Sequence, residues 1–148
     1  MINSFKDKYS FLSNFYPSPV TPWADGILYP TVEHAFQAMK SLDLTERKNI
    51  ARMRTPGNAK YAGRHVTLRP DWDNVKLDIM YEALKEKFKD PDLRKALLCT
   101  GDQELVEGNT WHDNFYGSCY CSHCRNIEGQ NHLGKLLMKI REELKKEN

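Results

Sequence analysis

The stretch YPTVEHAFQAMKS, residues 29–41, carries a carboxylate, an amide and an amine at Glu33, Gln37 and Lys40. In a helix, positions i, i+4 and i+7 share one face. Val32, Ala35, Phe36 and Met39 make the opposite stripe, which should turn to a core. The polar stripe is then either a solvated surface or the floor of a site. A carboxylate on such a floor can stabilise a cation that develops during reaction. An amine withdrawn from water loses its proton more easily and can form a Schiff base with an opened sugar aldehyde. The plain alternatives are a first-turn Glu33 that only complements the helix dipole and a Lys40 at a solvated helix end.

A second concentration lies in LVEGNTWHDNFYG, residues 105–117. Glu107 is followed by Asn109, Trp111, His112, Asp113, Asn114 and Tyr116. Hydrogen-bonding and stacking groups at this density suit a sugar and a base, although a polar surface loop would look similar. Phe11, Phe15, Tyr16 and Trp23 are aromatics without helical or strand period, and a planar ligand can stack on such rings. They could equally fill a core. His34 and His112 each read as structural hydrogen-bonders. The segment CYCSHC sets Cys119, Cys121 and Cys124 as C-x-C-x-x-C. Structural zinc needs four ligands, so His123, His132 or Cys99 would have to complete the shell. The expectation is no cofactor, with structural zinc at Cys119, Cys121 and Cys124 as the alternative.

These residues need elements to position them. YSFLSNFYPSPV reads as a loop entering an extended segment, and Asp25-Gly26 marks a hairpin turn. Thr31 is placed to cap the helix that carries Glu33. Further helices are predicted from about Thr45 to Met53, from Pro56 to Gly63, from Asp71 to Lys89 and from Asp92 to Cys99. In the longest, Leu77, Met80, Tyr81, Leu84 and Phe88 follow the helical period. QELVEGN reads as a short strand or extended exit. Residues 109–132 show no period, and a long irregular segment of this kind is usually functional. A helix capped by Asn131 closes the chain from Leu133 to Lys145. The fold class expected is α+β, mostly helical, with about six helices and a few short strands in a single domain spanning 1–148.

Composition narrows the function. The chain has 148 residues, 22 Lys and Arg against 20 Asp and Glu, and a net charge of +2. Such a balance argues against indiscriminate binding to nucleic acid but allows a local basic patch. No apolar run reaches the ~18 residues of a membrane span. The N-terminus lacks the apolar core of a signal peptide, so a cytoplasmic protein with reduced thiols is expected.

At these residues the sequence resembles the NADAR, or YbiA-like, N-glycosidase family. The likeness rests on FLSNFYP (11–17), YPTVEHAFQAMK (29–40), GRHVTLRPDWDNVKLDIMYEALKEKF (63–88), LLCTGDQELVEGNTWHDNFYG (97–117) and NHLGKLLMKIREEL (131–144). It spans almost the whole chain. The resemblance implies a compact, mostly helical α+β domain that cleaves N-glycosidic bonds at the anomeric carbon of ribose. The implied substrates are phosphoribosylated intermediates of riboflavin biosynthesis, or ADP-ribose attached to guanine in a nucleotide or nucleic acid. The family's catalytic glutamate, in T-x-E-H-x-F-Q, maps onto Glu33. Its helix lysine, proposed to attack the sugar, maps onto Lys40, and its late acidic-aromatic loop onto Glu107, Trp111 and Asp113. The cysteine cluster is not essential to the family pattern, since some members carry a glycine-rich stretch there.

Breaking a ribose C1–N bond builds positive charge on C1 and the ring oxygen. Glu33 is the expected stabiliser of that charge. Lys40, Glu107 and Asp113 complete the catalytic set, with Glu107 or Asp113 positioning water or protonating the departing base. Asn14, Phe15, Trp23, Gln37, Arg64, Asn109, Trp111, Tyr116 and Asn131 are the expected substrate contacts. Arg64 and Lys60 are the candidates for phosphate.

Overall fold

Thr31 starts the first helix as its pattern requires. The backbone is extended there, and the Thr31 hydroxyl accepts from the His34 amide at 3.1 Å. The helix is shorter than its pattern predicts, because α1 runs only over Val32–Ala38 and closes through Met39. Glu33 and Gln37 therefore share one turn of helix, whereas Lys40 lies in the turn just beyond it. All seven residues of α1 are buried, the polar ones included. The polar stripe is thus no solvated surface.

The structure is a computed structural model and describes residues 1–147. After α1 come α2 (Leu44–Ala51), α3 (Pro56–Ala62), α4 (Trp72–Lys87), α5 (Pro91–Leu98), the strands β1 (Gly108–Asn109) and β2 (Ser118–Cys119), and α6 (His132–Glu147). Residues Asp7–Leu12, of which Tyr9–Leu12 are expected as loop, form a 3-10 helix. The fold is α+β and mostly helical.

The chain divides into two units by its contacts. One runs over Asn14–Asp90 and packs α1 against α2, α3 and α4. Its core includes Val32, Phe36, Ile50, Trp72, Met80 and Leu84. The hairpin expected at Asp25-Gly26 is a loop closed by one antiparallel bridge, Val20 to Tyr29. Gly26 takes φ 70°, which a residue with a Cβ rarely adopts. Along α4 and its capping residue Phe88, Met80, Leu84 and Phe88 are buried as predicted, while Leu77 and Tyr81 are only half-buried.

The other unit joins Met1–Ser13 to the stretch from Pro91 onward. Here α5 packs on α6, and β1 pairs in parallel with β2, Gly108 opposite Ser118 and Asn109 opposite Cys119. Leu93, Leu97, Leu105, Leu133, Leu137 and Ile140 supply much of its core, and Phe11 joins them at 9 % exposure.

Candidate active site

In the first unit the centre of interest is Glu33, 7 % exposed. Its amide donates to the Asn14 carbonyl at 3.0 Å, and its Oε1 accepts from Gln37 Nε2 at 2.9 Å. The i, i+4 spacing read from the sequence is what brings that amide to the carboxylate. Gln37 in turn lies against Gly63, where any Cβ would run into its amide oxygen. Asn14 is 7 % exposed, and its Nδ2 contacts Met80 Sδ at 3.9 Å. Two oxygens, Asn14 Oδ1 and Gln37 Oε1, are buried with no hydrogen-bond partner among the described residues. Leaving such an acceptor unsatisfied costs about 1–3 kcal/mol.

Lys40 is held by its backbone. Its carbonyl accepts from the Arg69 amide at 2.7 Å, and Arg69 Nη1 donates to the Met39 carbonyl at 3.4 Å. Asp71 grips the same guanidinium, with Oδ1 2.7 Å from Arg69 Nε. This clamp replaces the last turn of helix that the sequence pattern predicts. The Lys40 ammonium lies 6.0 Å from the centroid of the Trp72 ring, which itself packs on Phe36. Burial lowers the Lys40 pKa, Glu33 acts the other way, and the cations Arg64, Lys60 and Lys76 lower it further. The field around Lys40 is therefore cationic with one carboxylate in it.

His34 has a structural place. One ring nitrogen, Nε2, sits 2.9 Å from the Met53 carbonyl and the other, Nδ1, 2.8 Å from the Thr31 hydroxyl. The carbonyl can only accept, so Nε2 carries the proton in this network. Burial lowers the His34 pKa and keeps the ring neutral. Trp23 is half-buried and meets Tyr29 edge to face at 5.9 Å. Phe15 is 43 % exposed and Arg64 is exposed. An apolar cavity of about 480 Å³, lined by Ile50, Met53, Tyr61 and their neighbours on α2 and α3, includes none of the predicted site residues.

In the second unit, Asn109 organises the loop that follows it. Its Oδ1 accepts from the amides of Trp111 and Asp113, both at 3.2 Å. Its Nδ2 donates to Glu107 Oε2 at 3.2 Å and to the Asp113 carbonyl at 2.9 Å. Asp113 Oδ1 accepts from the amides of Phe115 and Tyr116 at 3.1 and 2.9 Å. Glu107 lies against Gly117, where a Cβ would collide with its carboxylate and carbonyl. Asn131 has φ 51°, accepts from the Glu107 amide at 3.0 Å and donates to the Leu105 carbonyl at 2.9 Å. Both ends of its amide thus hold backbone. Trp111 is 53 % exposed, and Tyr116 packs edge-on against Phe115 at 4.7 Å.

The thiols bring a correction. The residue gathered with Cys119, Cys121 and Cys124 is His112, not His123, His132 or Cys99. His132 Nε2 lies 3.0 Å from Gln130 Oε1, the His123 ring stands edge-on to His112 at 6.4 Å, and Cys99 is exposed. A histidine seven residues before a C-x-C-x-x-C run, within reach of a short loop, is the signal available in the sequence.

Comparison with known proteins agrees with this architecture. The NADAR domain family matches residues 2–145. The chain is 44% identical to N-glycosidase Npun_R5314 of Nostoc punctiforme over 147 residues, 93% of this chain and 86% of that protein. It is 40% identical to N-glycosidase YbiA of Escherichia coli (strain K12) over 144 residues, 95% of this chain and 85% of that one. The NMR structure of E. coli YbiA superposes with a TM-score of 0.81 at 37% identity, covering 99% of this chain and 86% of that chain. Riboflavin biosynthesis protein VVA0006 of Vibrio vulnificus is 34% identical over 141 residues, but the match spans only 36% of that longer protein. Fold and relatives together define an enzyme class, the N-glycosidases. Within it, the chain belongs to the NADAR family.

Proposed function

We propose that the chain hydrolyses the ribose C1–N bond of an ADP-ribosylated guanine, in a nucleotide or in nucleic acid, releasing ADP-ribose and leaving the base intact. The observation that carries this reading is the buried Glu33 carboxylate, held by Gln37 and flanked by the unsatisfied oxygens of Asn14 and Gln37. Ribose hydroxyls are donors that fit those oxygens. The Glu33 carboxylate then meets the positive charge that grows on C1 and the ring oxygen, and it stabilises the transition state more than the neutral ground state. Arg64, Lys60 and Lys76, the cations whose field reaches Lys40, suit a pyrophosphate. Water supplies oxygen to C1 as the C1–N bond breaks, and its proton passes to the departing nitrogen. In the other unit, Glu107 and Asp113 are the carboxylates proposed to handle water or a proton. Phe15 and Trp23 offer rings to the base, and Trp111 is the exposed ring of the other unit. The hydrogen bonds of Asn109 and Asn131 give these two the part of holding Glu107 and Asp113 in place. We further propose a single domain over residues 1–148 that works in the cytoplasm without a catalytic cofactor.

A phosphoribosylated riboflavin intermediate is the second reading, favoured by the name of the Vibrio vulnificus relative. Incubation with an ADP-ribosylated guanine oligonucleotide and, separately, with a phosphoribosylaminopyrimidine distinguishes the two. Release of ADP-ribose from the first at the higher kcat/KM is expected; turnover of only the second would replace the substrate proposed here.

Lys40 supports a covalent route to the same products. Its neutral amine bonds to C1 as the C1–N bond breaks and passes a proton to the departing base; the ring oxygen, protonated, then leaves C1 as an iminium to Lys40, and water adds to C1 to release the sugar and the amine. Borohydride added during turnover is expected to reduce that iminium, leaving a ribosyl adduct on Lys40 by mass spectrometry. Turnover without an adduct would leave direct attack by water.

A further inference from the structure

We propose that His112, Cys119, Cys121 and Cys124 bind a single zinc ion that fixes the loop carrying Trp111 and Asp113. The four ligating atoms all lie within 4.8 Å of one another. His112 Nδ1 is 3.3 Å from Cys121 Sγ, 3.3 Å from Cys124 Sγ and 4.0 Å from Cys119 Sγ. With Zn–S near 2.3 Å and Zn–N near 2.0–2.1 Å, a tetrahedral site places nitrogen and sulfur about 3.5 Å apart. The observed separations bracket that value. Three sulfurs around one ring nitrogen exceed what hydrogen bonding explains, because Nδ1 either donates one proton or accepts one. A cation bound by all four donors satisfies the whole group, and Cys₃His is an ordinary donor set for structural zinc.

The surroundings fit a ligand shell. Cys119 and Cys124 are buried, and Cys121 is half-buried. The Cys119 amide donates to Asn114 Oδ1 at 2.9 Å, which fixes that ligand's backbone. The Cys121 amide points to Cys119 Sγ at 3.5 Å, and the Cys124 amide donates to the Cys121 carbonyl at 3.1 Å, closing a tight turn around the sulfurs. His112 takes φ 69°, in the left-handed region that few residues other than glycine adopt. That conformation carries the imidazole to the thiols. Its chain neighbours are Trp111 and Asp113, and Cys119 is the β2 residue paired with Asn109. The ion would therefore tie both ends of the loop that presents those side chains. Binding releases protons from the thiols, since thiolates are the ligands.

The test is metal content and spectroscopy on the full chain, expressed with zinc in the medium and purified under reducing conditions without chelator. About one zinc per chain is expected. Cobalt exchanged into the site is expected to show thiolate-to-cobalt charge-transfer bands together with tetrahedral visible bands. His112→Cys should keep the metal by completing a four-thiolate shell, and Cys121→Ser should lose most of it. Zinc far below one equivalent with no cobalt uptake, iron in its place, or a Cys119–Cys124 disulfide in the reduced preparation would each overturn the proposal. Should Cys121→Ser fail to fold, the metal content and cobalt spectrum of the unaltered chain decide alone. None of these readouts depends on turnover, so they stand or fall apart from the glycosidase reading.

Discussion

Glu33→Gln is expected to lower kcat by about 10²–10³-fold while leaving substrate affinity nearly unchanged. The substitution keeps shape and volume. A glutamine oxygen at position 33 can still accept from Gln37 Nε2, so the hydrogen bond that holds the side chain survives. The Thr31 cap and the bond from the residue 33 amide to the Asn14 carbonyl involve main chain or other side chains and are untouched. What disappears is the negative charge. A neutral amide cannot offset the positive charge on C1, whereas it contacts the ground-state sugar about as well. Steady-state kinetics and a binding isotherm on the same preparation check this. A drop in affinity with kcat preserved would make Glu33 a binding residue rather than the group that meets the charge on C1.

The second large effect concerns stability. The protein is expected to be about 2 kcal/mol more stable at pH 9 than at pH 7 through Lys87 alone. Lys87 is 2 % exposed, with its ammonium 5.6 Å from the Tyr16 ring centroid and 5.3 Å from that of Phe88. Burial pushes its pKa down to about 7, against roughly 10.4 in the unfolded chain. Between those values the unfolded chain binds more protons than the native one, so stability rises with pH across that window. Below it both states are charged, and the native state bears the full cost of a buried ammonium. Urea unfolding at pH 7, 8 and 9, for the protein and for Lys87→Met, isolates the effect. The variant's profile should be flatter by the stated amount, and parallel profiles would refute the assignment.

How far the sequence could be read depended on the range of the interaction. Thr31, Glu33 and Gln37 lie within two turns, and local spacing alone predicts their cap and their contact. The spacing puts Lys40 on the same helix face, but Met39 ends α1 and Arg69, some thirty residues on, takes the carbonyls that a further turn would have used. Lys87 looks like an ordinary dipole partner in the last turn of α4. Yet Met80, Ala83, Leu84 and Lys87 follow i, i+3, i+4, i+7, and that face is buried. Strand β2 is two residues long, too short for any alternation to mark it. His112 reaches the thiols only through a left-handed backbone, which no side-chain pattern announces. Gln37 is legible as a polar residue beside Glu33 and Asn14 only as an expected substrate contact, and their unsatisfied oxygens belong to the packed structure.

The most direct test of the role given to Glu33 is the binding of a ribosyl mimic whose ring nitrogen is protonated, beside its neutral counterpart. The cationic mimic resembles the transition state and should bind the unaltered protein at least about 10²-fold more tightly than the neutral one. In Glu33→Gln that preference should vanish, with the neutral compound bound as before. Equal loss for both compounds, or a preference that survives the substitution, would contradict a carboxylate at position 33 facing the charge on C1.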